Sequence, residues 1–188
     1  MGEVNIGLEA VAYQPKVRGK VLFYEGHAPV YLLLANYSEW GNRLAGNGYL
    51  VHSSDDFPLT AELLECYDVV VIGNPDIAFT ADELAAIKEF VGRGRVIAAG
   101  DGDLFENAFI YRQDNVKAAV QYVDWLASGN GGGLLLLGGE DVDWLPQVGP
   151  VGPAEGPAPL VTNEVINQMS DLFGLHFNAD TVSDPLRY

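Results

Sequence analysis

The sequence predicts one three-layer α/β/α domain, residues 1–188, on a doubly wound, mostly parallel sheet of about five strands. Three observations predict it. Five short apolar runs recur along the chain, each closed by glycine or acidic residues. Two of them, Val69–Ile72 and Leu134–Leu137, are uninterrupted rather than alternating, which is how strands covered on both faces read. Helical patterns separate the runs, and repeated strand–helix–strand units imply right-handed crossovers and a parallel sheet.

Residues 1–19 form an N-terminal extension ahead of the first run, Lys20–Tyr24. Tyr37, Trp40 and Leu44 then share one helical face until Gly46-Asn47-Gly48 stops it. The second and third runs are Gly48–His52 and Tyr67–Gly73. Thr80-Ala81-Asp82-Glu83 has capping-box spacing and opens a helix carrying Leu84, Ile87 and Val91. The fourth run is Arg95–Gly100, followed by a helix from Gln113 to Ala127 with Val116, Val120 and Val123 on one face. Gly133–Gly138 is the fifth. Residues 146–160, with five prolines and three glycines, read as an irregular loop. A last helix carries Val165, Ile166, Met169, Leu172 and Phe173 and ends at Gly174; Leu175–Val182 is a candidate edge strand. Trp40 and Trp125 sit in helical patterns and are expected in the core, and the lone thiol, Cys66, is expected to be buried.

Composition narrows the function. Hydrophobic residues make up 48% and mean hydropathy is +0.09, so the chain can fill a core. No apolar run approaches the ~20 residues of a membrane helix, and no signal-peptide pattern opens the chain, so membrane insertion is not expected and the cytoplasm is favoured. Ten basic residues against 26 acidic ones give a net charge of −16, which argues against nucleic acid as partner. Only four of the basic residues are lysines, a pattern of salt-adapted proteins. One cysteine allows no intrachain disulfide and no thiolate cluster.

In an open parallel sheet, ligands bind outside the carboxyl ends of the strands. Each run here ends in acid: Glu25-Gly26-His27, Ser53-Ser54-Asp55-Asp56, Asn74-Pro75-Asp76, Asp101-Gly102-Asp103 and Gly139-Glu140-Asp141. The candidate ligand-binding residues are therefore Glu25, His27, Asn74, Asp76, Asp101, Asp103, Glu140, Asp141 and Trp144. Carboxylates suit cations and sugar hydroxyls, although Asp, Ser and Asn also populate loops and cap helices. No metal site and no cofactor is expected. Gly100-Asp101-Gly102-Asp103 and Gly131-Gly132-Gly133 fit no phosphate-loop pattern, and two aspartates would repel phosphate. His52 and His176 sit in strand-like patterns and read as structural.

Several segments together resemble the class I glutamine amidotransferase-like superfamily. They are Val21–His27, Tyr37-Ser38-Glu39, Asn47-Gly48-Tyr49, Phe79–Val91, Gly131–Gly138, Phe173-Gly174-Leu175 and Asp180–Pro185. More narrowly, they resemble the domain of gliding-motility GldG-type proteins and of an intraflagellar-transport scaffold subunit. The resemblance implies a flavodoxin-like fold used mainly for binding and scaffolding, often without catalytic residues. It also implies a departure in order. The unit Gly94–Leu126 closes the family's domain, whereas here it precedes the Gly131 strand. A naturally rearranged subfamily or an engineered chain would give that order. Strands that keep their family places would lie 2-1-3-5-4 by chain number.

The leading functional expectation is a non-catalytic domain that binds a small polar ligand or a protein partner. The alternative is a hydrolase-like enzyme using Glu25, His27 and Glu140, with Asp101 beside them; a third is a structural or engineered domain without a ligand. The family's nucleophilic cysteine has no counterpart after Leu134–Leu137, where Gly138, Gly139 and Glu140 stand.

Overall fold

A computed structural model describes residues 17–29, 31–99, 102–138 and 164–177. In chain order these form β1 (Gly19–Tyr24), α1 (Ser38–Gly46), β2 (Tyr49–Ser54), α2 (Ala61–Leu64), β3 (Val69–Gly73), α3 (Ala81–Val91), β4 (Arg95–Ala99), α4 (Asn115–Ala127), β5 (Gly133–Leu137) and α5 (Glu164–Ser170). Single 3-10 turns cover Asp103–Phe105 and Asp171–Phe173. The N-terminal residues 1–16, the Pro-rich stretch and residues 178–182 of the candidate edge strand lie outside the described residues.

The five strands form one all-parallel sheet in the order β2-β1-β3-β5-β4. This is the order expected of the rearranged chain. β5 lies between β3 and β4, with Val69 and Arg95 both in register with Gly133. Continuous apolar stretches occupy the central positions: β3 and β5 are buried along their whole length, whereas the edge strands β2 and β4 are partly open.

Two cores flank the sheet. On one face Val21, Phe23, Val69, Val71, Leu135 and Leu137 pack against Trp40 and Leu44 of α1 and Ala119, Val123 and Leu126 of α4. On the other, Leu22, Val70, Ile72, Leu134 and Leu136 meet Leu64 of α2, Ile87 and Val91 of α3, and Ile166 and Met169 of α5. Burying each of these large side chains is worth about 1.5–3 kcal/mol. Crossovers that step toward β2 carry α1 and α4 on the first face; those that step toward β4 carry α2 and α3 on the second. All four share one hand, as parallel crossovers do.

The glycines that open β4 and β5 lie against each other. A Cβ on Gly94 would stand 2.1 Å from the Gly132 carbonyl oxygen, so only glycine lets these two backbones pass.

Three sequence expectations need correction. Trp125 is 48% exposed, because Leu126 next to it takes the core position; the ring instead lies under the Arg95 guanidinium, 4.7 Å from its centroid. Cys66 is exposed, since it follows the single turn of α2 on the solvent side of Leu64. Leu175–Phe177 forms no strand. His176 in that segment is exposed against Asp171, at 2.8 Å, while His52 is exposed on β2 beside the Tyr67 hydroxyl.

Candidate functional site

The helices that follow β1 and β3 leave on opposite faces, so the crevice between the carboxyl ends of these paired strands is a topological switch point. Two segments close over it. After β1, the chain turns at Ala28 (φ +49°) and bridges to the loop after β3 through an antiparallel Pro29–Pro75 pair. After β3, Asn74 is held at φ +39°, a left-handed conformation that asparagine tolerates better than most residues.

His27 lies at the centre, 1% exposed. Its Nδ1 is 2.8 Å from the Ile77 carbonyl and its Nε2 is 2.8 Å from Glu83 Oε1. Both neighbours are acceptors, so both ring nitrogens are engaged by groups of this chain. The His27 carbonyl in turn accepts from the amides of Asp76 and Ile77. The ring stacks on Phe79 at 3.7 Å between centroids, with Phe57 at 5.1 Å and Tyr24 at 5.7 Å.

Glu83 is 2% exposed and fully engaged. Oε1 accepts from the Leu59 amide and His27; Oε2 accepts from the Thr80 amide and hydroxyl. Thr80 accepts the Glu83 amide in return, which completes the expected capping box of α3. Burial pushes this carboxyl up. The bonds from the Thr80 amide, His27, the Leu59 amide and the Thr80 hydroxyl outweigh it, and hold the group at about 2 against 4.5.

The other expected residues are distributed around this pair. Glu25 is half-buried and accepts the Leu33 amide at 2.7 Å, so the carboxylate on His27 is Glu83 and not its near neighbour in sequence. Asp76 is exposed at the lip. Asn74 is buried; its amide donates to the Leu137 carbonyl at 2.7 Å, while its side-chain Nδ2 has no partner among the described residues. Asp103 accepts the Tyr31 hydroxyl at 2.8 Å. Asp101, Glu140, Asp141 and Trp144 lie outside the described residues.

Three contributors were not foreseen. Glu83 was legible as a helix cap, but its histidine is 56 residues away in sequence. Tyr24 ends β1 with a buried hydroxyl that has no hydrogen-bond partner among the described residues, and its ionisation is raised by burial, then by Glu83 and Asp56. Tyr31 joins the β1 loop to the β4 loop, a union continued by Asn36 on Glu106 and by Asn107, which accepts the Glu39 amide at 2.8 Å. That last bond satisfies a first-turn donor of α1, whose own N-cap side chain makes no cap. The loop after β1 thus reaches across the sheet end as far as the segment after β4.

The same edge presents apolar side chains from four successive loops. Leu32 and Leu34 follow β1, Phe57 follows β2, Ile77 follows β3 and Leu104 follows β4; Leu34 is 83% exposed and Phe57 57%. Among the described residues no group of three or more His, Cys, Asp or Glu is arranged to hold a metal, and no helix is long and apolar enough to cross a membrane.

No protein-family model matches the chain, and no curated protein does. Solved structures do. The chain is similar to the mmIFT52 N-terminal domain at 23% identity and a TM-score of 0.39, over 46% of this chain and 39% of that one. The chain therefore spans about two fifths of that structure's length. A likeness at this score carries no functional argument.

Proposed function

We propose that this chain is a non-catalytic interaction domain of the amidotransferase-like type, and that it meets a protein partner at the carboxyl edge of its sheet. One observation carries the reading. His27, Glu25, Glu83 and Asp103 already serve internal partners, whereas the loops beside them expose leucine, isoleucine and phenylalanine. A general base needs a free lone pair within reach of a substrate proton, and His27 has both nitrogens occupied. Exposed apolar side chains gathered on one edge are a common mark of association surfaces.

A small polar ligand is the second reading, favoured by the unpartnered Tyr24 Oη and Asn74 Nδ2 at the ends of β1 and β3. A hydrolase-like role for Glu25 and His27 with Glu140 draws no comparable support from the described residues.

Glutaminase, esterase and amidase assays on the full chain test the proposal, alongside His27→Gln and Glu25→Gln. The expected result is no turnover above buffer. Turnover that falls in either variant, with the fold intact, would overturn it.

A further inference from the structure

We infer that the groove between α2 and α3 docks a cationic amphipathic polypeptide segment, one large apolar side chain seated near Phe57 and lysines or arginines on the flanking acids. The inference rests on the interaction reading and names the partner's chemistry. Two adjoining cavities, of 590 and 270 Å³, share Ala61, Ala86 and Glu89 and so form one trough. Its wider end is walled by Phe57, Pro58 and Leu59, and its far end by Phe90.

Small side chains make the trough deep. Ala61 on α2 and Ala85 and Ala86 on α3 leave room for an incoming side chain between the helices. The trough follows α3 from Asp82 to Phe90, about 12 Å at the helical rise, which is the reach of a polypeptide segment rather than of a single ion.

Charge selects the occupant. Asp82, Glu65 and Glu89 are exposed along the walls, and no Lys or Arg lines either cavity among the described residues; Lys88 of α3 is not part of the lining. Glu83, which also contributes to the wall, is buried and bonded to His27, the Leu59 amide and the Thr80 amide, so it presents no exposed carboxylate. An anionic ligand meets repulsion here. So does a second copy of this chain, which carries −16. A segment with apolar residues at helical spacing and basic residues beside them satisfies both the floor and the walls, the helix-in-groove mode of peptide recognition.

The test uses the full chain and a fluorescein-labelled synthetic helix of about 15 leucines and lysines, with leucine at i, i+3 and i+4. A charge-reversed peptide with glutamate for lysine is the comparison. Fluorescence anisotropy is read for the parent, Ala86→Arg, Glu89→Lys and Asp114→Lys. Ala86→Arg fills the trough, and Glu89→Lys reverses a wall charge at an exposed position that does not endanger folding. Asp114→Lys makes the same change of net charge at the start of α4, on the other face of the sheet. Support is binding of the cationic peptide alone, weakened about tenfold or more by the two groove variants and less than about twofold by Asp114→Lys. Equal weakening by Glu89→Lys and Asp114→Lys, binding of the glutamate peptide, or no binding at all would overturn the inference. Binding that survives Ala86→Arg overturns the groove while leaving the interaction reading intact; that reading falls separately, on the turnover assays.

Discussion

His27 Nε2 and Glu83 Oε1 lie 2.8 Å apart, both residues 2% exposed or less, and together they tie the loop after β1 to the first turn of α3. A buried pair of this kind adds little over a well-packed apolar pair, but losing one partner strands the other.

His27→Ala should destabilise the chain by about 3–5 kcal/mol, because it removes the stack on Phe79 and leaves Glu83 buried with one donor fewer. Glu25→Gln should cost under about 1 kcal/mol, since an amide oxygen can still accept the Leu33 N–H. Urea unfolding at neutral pH compares the two. Equal costs would show that the His27 contacts are not what holds this edge.

The Glu83 carboxyl gives a signed pH dependence. Its folded value of about 2 lies below the unfolded 4.5, so the unfolded chain binds more protons between them. Its contribution, about 3 kcal/mol, is complete above pH 4.5 and is lost as pH falls through 2. In urea melts from pH 6 downward, Glu83→Gln should lose this component of the acid slope.

Tyr24→Phe removes a buried hydroxyl without a partner and keeps the ring. The expected change is between none and about 1 kcal/mol of added stability. A loss above about 1 kcal/mol would reveal a partner for that hydroxyl.

Gly94→Ala should cost about 2 kcal/mol or more, because the new methyl meets the Gly132 carbonyl and the Val91 carbonyl at 2.7 Å. Gly46→Ala, where nothing lies within 4 Å, should instead stabilise α1 by about 0.5–1 kcal/mol. Paired thermal melts separate close approach from helix propensity.

Self-repulsion of 16 net negative charges should ease as salt is added. The Tm is expected to rise across a chloride series from about 10 mM to 1 M. A flat response would remove salt adaptation as the reason for the composition.

Local signals carried much of the fold. The unbroken Val69–Ile72 and Leu134–Leu137 runs announced doubly covered strands, and Thr80 with Glu83 announced a helix start. Trp125 shows the limit of periodicity: adjacent residues on a helix end compete for one core position, and Leu126 occupies it. Cys66 shows another, since a small apolar residue beside a one-turn helix has no face to bury. At the crevice the acids were visible as residue types, but their duties were not. Whether Asp103 faces solvent or Tyr31 depends on contacts 72 residues apart, and no local pattern encodes them.

The placement of β5 between β3 and β4 has a consequence for synthesis on the ribosome. β4 emerges well before β5, its pairing strand among the described residues, and β3 waits with one unpaired backbone edge through the whole translation of α4. Exposed strand edges recruit other chains, and such non-local pairing closes slowly. The nascent chain thus holds two open edges at once, both closed by the five residues of β5, and binders of extended polypeptide should capture chains stalled before Gly133 far more readily than finished ones.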